Sequence, residues 1–96
     1  MGTTKFDNEK FNGANDFGLW RIKMRAVLVQ QGLVNALKGE SALPATMPDQ
    51  EKQDLIEKAK STIILCLGDK ALREVAREPT AAALWLKLES LYMTKS

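Results

Sequence analysis

The chain has 96 residues, enough for one hydrophobic core and no more. Its 45% hydrophobic and 27% charged residues exclude disordered and collagen-like compositions, and a net charge of +2 is too small to attract nucleic acid or anionic lipid unaided. With no histidine and a single cysteine, Cys66, the chain lacks the residues for triad chemistry, zinc binding or imidazole proton transfer, so we expect a protein that is not an enzyme and holds no cofactor or metal.

Residues 1–10 are polar and unpatterned, and residues 1–14 read as an extended N-terminal arm, the helical domain proper following over 15–96. The first residues carry no apolar signal core, and no stretch approaches the roughly 20 apolar residues that cross a bilayer, so no membrane partner is expected. Gly2 follows Met1, but Phe6 stands where a myristoylation motif wants Ser or Thr. Asn12-Gly13-Ala14-Asn15-Asp16 is a cluster of turn and cap residues, and Asn15 or Asp16 should cap a helix there.

That first helix carries Phe17, Trp20, Met24, Val27, Leu28 and Gln31 at spacings of three and four and closes at Gly32. Leu19, Ile22, Ala26, Val29 and Leu33 form a second apolar stripe, broader than one packing neighbour requires. A short helical turn over Leu33–Leu37 and a loop over 38–45 should follow. Thr46-Met47-Pro48-Asp49 has the form of a helix start, with Thr46 as hydroxyl cap, and predicts a second long helix with Leu55, Ile56, Ala59, Ile63, Cys66 and Leu67 on one side. Asp54 and Lys58 are one turn apart on it, and Gly68 terminates it.

Asp69 can cap a short helix with Ala71, Leu72, Val75 and Ala76 inward, and Pro79 stops it. Thr80 starts a last helix with Ala81, Leu84, Trp85, Leu88, Leu91 and Tyr92 on one face. No segment alternates with a two-residue period, so no sheet is predicted. The fold class is all-α, a compact bundle of about five helices. The chain stops at Tyr92-Met93-Thr94-Lys95-Ser96 with neither glycine nor proline, as though a helix had been cut.

Candidate chemistry is sparse. Cys66 lies in the run Ile63-Ile64-Leu65-Cys66-Leu67 and reads as a small buried hydrophobe, which suits a reducing, cytoplasmic setting. Glu74 and Glu78 are the nearest approach to paired carboxylates, and a solvated helix face accounts for them better than acid–base work. Gly68-Asp69-Lys70 is a poor phosphate loop, with one glycine and an anion beside it. Lys70, Arg73 and Arg77 share one face of the short helix and are the candidate RNA contact, diluted by Asp69, Glu74 and Glu78 and lacking aromatic stacking partners.

Lys10-Phe11-Asn12-Gly13-Ala14-Asn15-Asp16-Phe17-Gly18-Leu19-Trp20 resembles the opening of Gag polypeptides of copia-type LTR retrotransposons, with a Phe-(Asp/Asn)-Gly-x-Asn element and then an aromatic and Trp. Met24 and Leu28 continue the motif, Gln30-Gln31-Gly32-Leu33 matches the end of its first long helix, and Trp85, Leu88 and Tyr92 fit a Trp-x-x-Leu segment ending in Tyr. The similarity covers about residues 5–96 and is strongest to plant elements of the tobacco type.

The resemblance implies the N-terminal region of a Gag capsid protein, a retroviral-capsid-like helical module that self-associates into virus-like particles around the element's RNA. It marks Phe11, Gly13, Phe17, Trp20, Met24, Leu28, Trp85, Leu88 and Tyr92 as the fold motif. The family's zinc knuckle is missing, so RNA binding is expected to be weak or to reside in a region beyond this one. The partner is then the chain itself, as homodimer or higher oligomer, and no small-molecule substrate is implied. Leu19, Ile22 and Val29, with Leu91, Tyr92 and Met93, are the candidates for self-association, although core burial would also explain each of them. A Gag-derived host protein serving as a helical interaction adaptor would carry the same motif.

Overall fold

The computed structural model describes residues 10–13 and 16–93. The remainder of the expected arm, with Gly2 and Phe6, the alternative cap Asn15 and the end beyond Met93 lie outside the described residues. Four helices follow in order: α1 (Phe17–Gln30), α2 (Asp49–Leu65), α3 (Asp69–Val75) and α4 (Ala81–Tyr92), with two 3-10 turns, Val34–Lys38 and Glu40–Ala42, between α1 and α2. The fold is all-α, and the expected short helix after α1 is the first of the 3-10 turns.

The helix ends show why the segments stop and start where they do. Asp16 caps α1, its carboxylate accepting from the Leu19 amide at 3.1 Å. At the other end Gly32 has φ +75°, which lets the Gly32 amide donate to Val29 and the Leu33 amide to Leu28. This pair of bonds satisfies two orphan carbonyls and turns the buried Leu33 back onto buried Leu28. Thr80 caps α4 through its hydroxyl, which accepts from the Ala83 amide at 3.1 Å.

Two caps differ from expectation. Helix α2 begins after Pro48, whose own carbonyl accepts the first helical bond from Lys52. Thr46 is then two residues too far upstream for its hydroxyl to reach a first-turn amide, and Asp49 and Glu51 serve the positive helix end instead. Gly68, rather than Asp69, is the N-cap of α3, because its amide is committed to Phe11 and its carbonyl accepts from Leu72. Nor does Asp54 depend on Lys58, since it accepts from the Gln50 side chain at 3.0 Å.

The core is wholly apolar among the described residues. Phe17, Trp20, Met24 and Leu28 of α1 meet Ile56, Ala59 and Ile63 of α2, Ala71 and Val75 of α3 and Ala81, Leu84, Trp85 and Leu88 of α4. The first 3-10 turn packs against α1, α2 and α4 and buries Ala36. Ala76, expected inward, is exposed because α3 ends at Val75.

Residues 10–13 are bound to this bundle. Phe11, only 1% exposed, forms an isolated parallel bridge with Leu67, donating its amide to Cys66 (3.1 Å) and accepting from Gly68 (2.8 Å). The Cys66 carbonyl, left without a helical donor at the end of α2, also accepts the Trp20 indole N–H at 3.1 Å. One cap carbonyl therefore fastens two parts of the N-terminal motif to the end of α2.

Candidate functional site

Most of the motif residues lie in the interior of the protein. The Phe11 ring lies 5.1 Å from Phe17 and 4.7 Å from Tyr92, both edge-on, and Trp20 lies 6.0 Å from Trp85, so five aromatic rings join the N-terminal segment, α1 and α4. Met24, Leu28 and Leu88 are fully enclosed, while Tyr92 is half-buried at the rim. Gly13 has φ +95°, a conformation open to glycine, and brings the chain past the Tyr92 hydroxyl and the Lys70 stem. These positions are buried or half-buried in the bundle.

The surface shows a different pattern. Ile22 is 65% exposed, Leu19 50% and Val29 49%, and with Ala26 they occupy the side of α1 opposite Trp20, Met24 and Leu28. Lys23 and Arg25 flank the stripe, and α1 contains no acidic residue. Arg21 is held elsewhere: it pairs with Glu89 of α4 at 2.6 Å and lies over the Trp85 ring at 5.8 Å. Arg21, Ile22, Arg25, Ala26, Val29 and Gln30 line a shallow concavity along this face.

Of the other expected contact residues, Leu91 and Met93 are exposed and Tyr92 is half-buried, so this group divides between surface and core. Leu33, part of the second stripe, is buried because the turn at Gly32 redirects it. Two strongly exposed leucines are absent from the expected set: Leu65 at 70% and Leu86 at 62%. The signal for Leu86 lies in the period of α4, since Leu84, Trp85 and Leu88 define the core face and leave Leu86 outside. Leu65 likewise falls outside the stripe of Ile56, Ala59 and Ile63 that α2 turns inward.

Lys70, Arg73 and Arg77 are all exposed but do not share one helix face, because α3 ends at Val75 and Arg77 lies in the turn beyond it. Pro79 is the physical reason, since the residue before a proline is pushed out of helical conformation and the helix unwinds ahead of it. Asp69 and Glu74 lie beside Lys70 and Arg73 on that short helix. The basic group is consequently smaller and more mixed than the spacing suggests.

Burial pushes the Cys66 thiol above its ordinary value, partly offset by the Lys10 charge. Burial, then the Glu74 carboxylate, raises the Tyr92 phenol. Glu74 is exposed and Glu78 half-exposed. Among the described residues, no group of three or more His, Cys, Asp or Glu side chains converges on a possible metal position, and no helix is long and apolar enough to cross a membrane.

Comparison with known proteins agrees with the motif. The family described as gag-polypeptide of LTR copia-type matches residues 24–96. A curated relative, the retrovirus-related Pol polyprotein from transposon TNT 1-94 of Nicotiana tabacum, is 43% identical over all 96 residues, and the chain spans 7% of that relative's length. No solved structure matches. The family match covers most of the chain, and the residues it spans include α1 from Met24 onward and the whole of α2, α3 and α4: the chain belongs to the copia-type gag-polypeptide family.

Proposed function

We propose that this Gag region is a structural, non-enzymatic capsid module that associates with copies of itself, in the cytoplasm, to build the shell of a virus-like particle. The observation that carries the reading is the apolar stripe of Leu19, Ile22, Ala26 and Val29 on the outer side of α1, turned away from a core that is already complete. An assembly module requires a stable fold and a surface that buries area against another copy, and it requires no catalytic group, substrate or cofactor. RNA is then held chiefly by regions beyond this one, with Lys70, Arg73 and Arg77 adding weak, salt-sensitive contacts.

Sedimentation of the chain across concentration and salt, with and without single-stranded RNA, tests this. Association that persists at high salt and is indifferent to RNA supports an apolar self-contact. Replacing the exposed Ile22 by Asp should abolish it without lowering the melting temperature. A chain that stays monomeric at high micromolar concentration refutes self-association, and one that shifts only with RNA at low salt reassigns the function to Lys70, Arg73 and Arg77.

A further inference from the structure

Residues 10–13 sit on the bundle in the way a bound peptide does. Their main chain bonds to one short stretch, the Phe11 amide donating to the Cys66 carbonyl and the Phe11 carbonyl accepting from the Gly68 amide, and one side chain anchors them. The anchor is the enclosed Phe11 ring, in a socket walled by Phe17, Trp20 and Tyr92 at 5.1, 5.7 and 4.7 Å. Every group that receives the segment belongs to α1, α4 or the junction of α2 with α3, so the socket is built from residues other than its occupant.

Gly68 shows that the junction is shaped for that occupant. A Cβ there would stand 3.3 Å from the Asn12 Cβ and 3.5 Å from the Phe11 carbonyl oxygen, so the segment comes this close because the side chain is absent. The Gly68 backbone is ordinary extended chain, with φ −74° and ψ 166°, which any residue adopts. The turn into α3 does not call for glycine; the bound segment does.

We propose that this socket is a binding site for an extended Phe-Asn-Gly segment and that, where copies crowd together, it takes the segment of a second copy in exchange for its own. The contacts are the same in either case, so the balance rests on concentration. A short tether holds the chain's own segment at an effective concentration of about millimolar, which a dense assembly reaches and a dilute solution does not. Three residues separate Gly13 from Phe17, a reach of at most about 14 Å. Exchange therefore needs each α1 start beside the other copy's socket. Because Phe17 places every socket next to its own α1 start, the exchange is reciprocal and closes as a two-fold pair. The apolar stripe of α1 takes no part in it.

Variants that separate socket from segment test this. Phe11→Ala keeps the socket and loses the anchor, whereas Gly68→Val keeps the anchor and fills the seat. In isotopically labelled Phe11→Ala chain the Gly68 amide should exchange at least about tenfold faster than in the unaltered chain. Unlabelled Gly68→Val chain, added to about millimolar, should slow that exchange again, since its segment has no seat of its own, and a chain carrying both substitutions should not. A synthetic peptide of residues 5–16 donates the same segment if the Gly68 variant does not fold, and Phe11→Leu replaces Phe11→Ala if the alanine variant does not. A Gly68 rate indifferent to both donors overturns the proposal and leaves the α1 self-contact standing. Ile22→Asp in both chains, which removes that self-contact, should leave the slowing intact; its loss would show that the copies meet through α1 and would overturn the exchange.

Discussion

Trp20 is the residue on which the fold's energetics can be tested most directly. It is 4% exposed, stacks on Phe17 at 5.6 Å and donates its indole N–H to the Cys66 carbonyl at 3.1 Å. Trp20→Ala deletes the ring and leaves a cavity, a change that costs about 3–5 kcal/mol in a close-packed interior. Trp20→Phe keeps most of the apolar volume and loses the donor; the Cys66 carbonyl still holds the Phe11 amide, so the loss is about 1–2 kcal/mol. Domains of this size are stable by about 5–15 kcal/mol, so the alanine variant should be near unfolding. The phenylalanine variant should melt about 5–15 °C lower, at about 4–8 °C per kcal/mol. Urea unfolding followed by far-ultraviolet circular dichroism measures both. If the alanine variant lies within about 1 kcal/mol of the unaltered chain, as a surface substitution would, Trp20 does not hold the core.

Three further outcomes are expected. A double-mutant cycle on Arg21→Ala and Glu89→Ala should return a coupling of about 0.5–1 kcal/mol that shrinks with salt, the pair being part-exposed and hydrogen-bonded at 2.7 Å; zero coupling at low salt would show that the bridge does not tie α1 to α4. Gly68→Ala places a Cβ 3.3 Å from the Asn12 Cβ and should loosen the Phe11 bridge, visible as faster amide exchange at Phe11 and Gly68, whereas Gly32→Ala meets nothing and should cost only about 1 kcal/mol for its positive φ. Unchanged exchange in the Gly68 variant would contradict the close approach. The Cys66 thiol is raised in the folded state, so its contribution to stability is complete below the unfolded value near 9.0 and declines as pH rises through the folded value. Urea midpoints should fall in alkali, and Cys66→Val should flatten that fall; an identical slope in the variant removes Cys66 as its source.

Much of the fold is legible from local pattern, because helix formation and capping are decided within a few residues. The 3.6-residue period of Phe17, Trp20, Met24 and Leu28 marks the core side of α1. Asp16, Gly32 and Thr80 mark helix ends through side-chain and left-handed geometries that only a few residue types supply. The absence of two-residue alternation settles the all-α class, and the Phe-Asn-Gly and Trp motifs point to the copia-type Gag family that the comparisons establish.

Tertiary structure decided what depends on residues distant in sequence. The Cys66 carbonyl gathers Phe11 and Trp20 from opposite sides of the turn at Gly13, a pairing across 46 residues in the case of Trp20 that no local period encodes. Leu33 was decided the same way: as sequence it continues the outer stripe of α1, yet the turn at Gly32 buries it. The shortening of α3 ahead of Pro79 separates Arg77 from Lys70 and Arg73. A sequence sets the stripe a helix can bury, while the neighbours available in three dimensions determine how much of it is covered, and the uncovered remainder on α1 is the surface proposed for assembly.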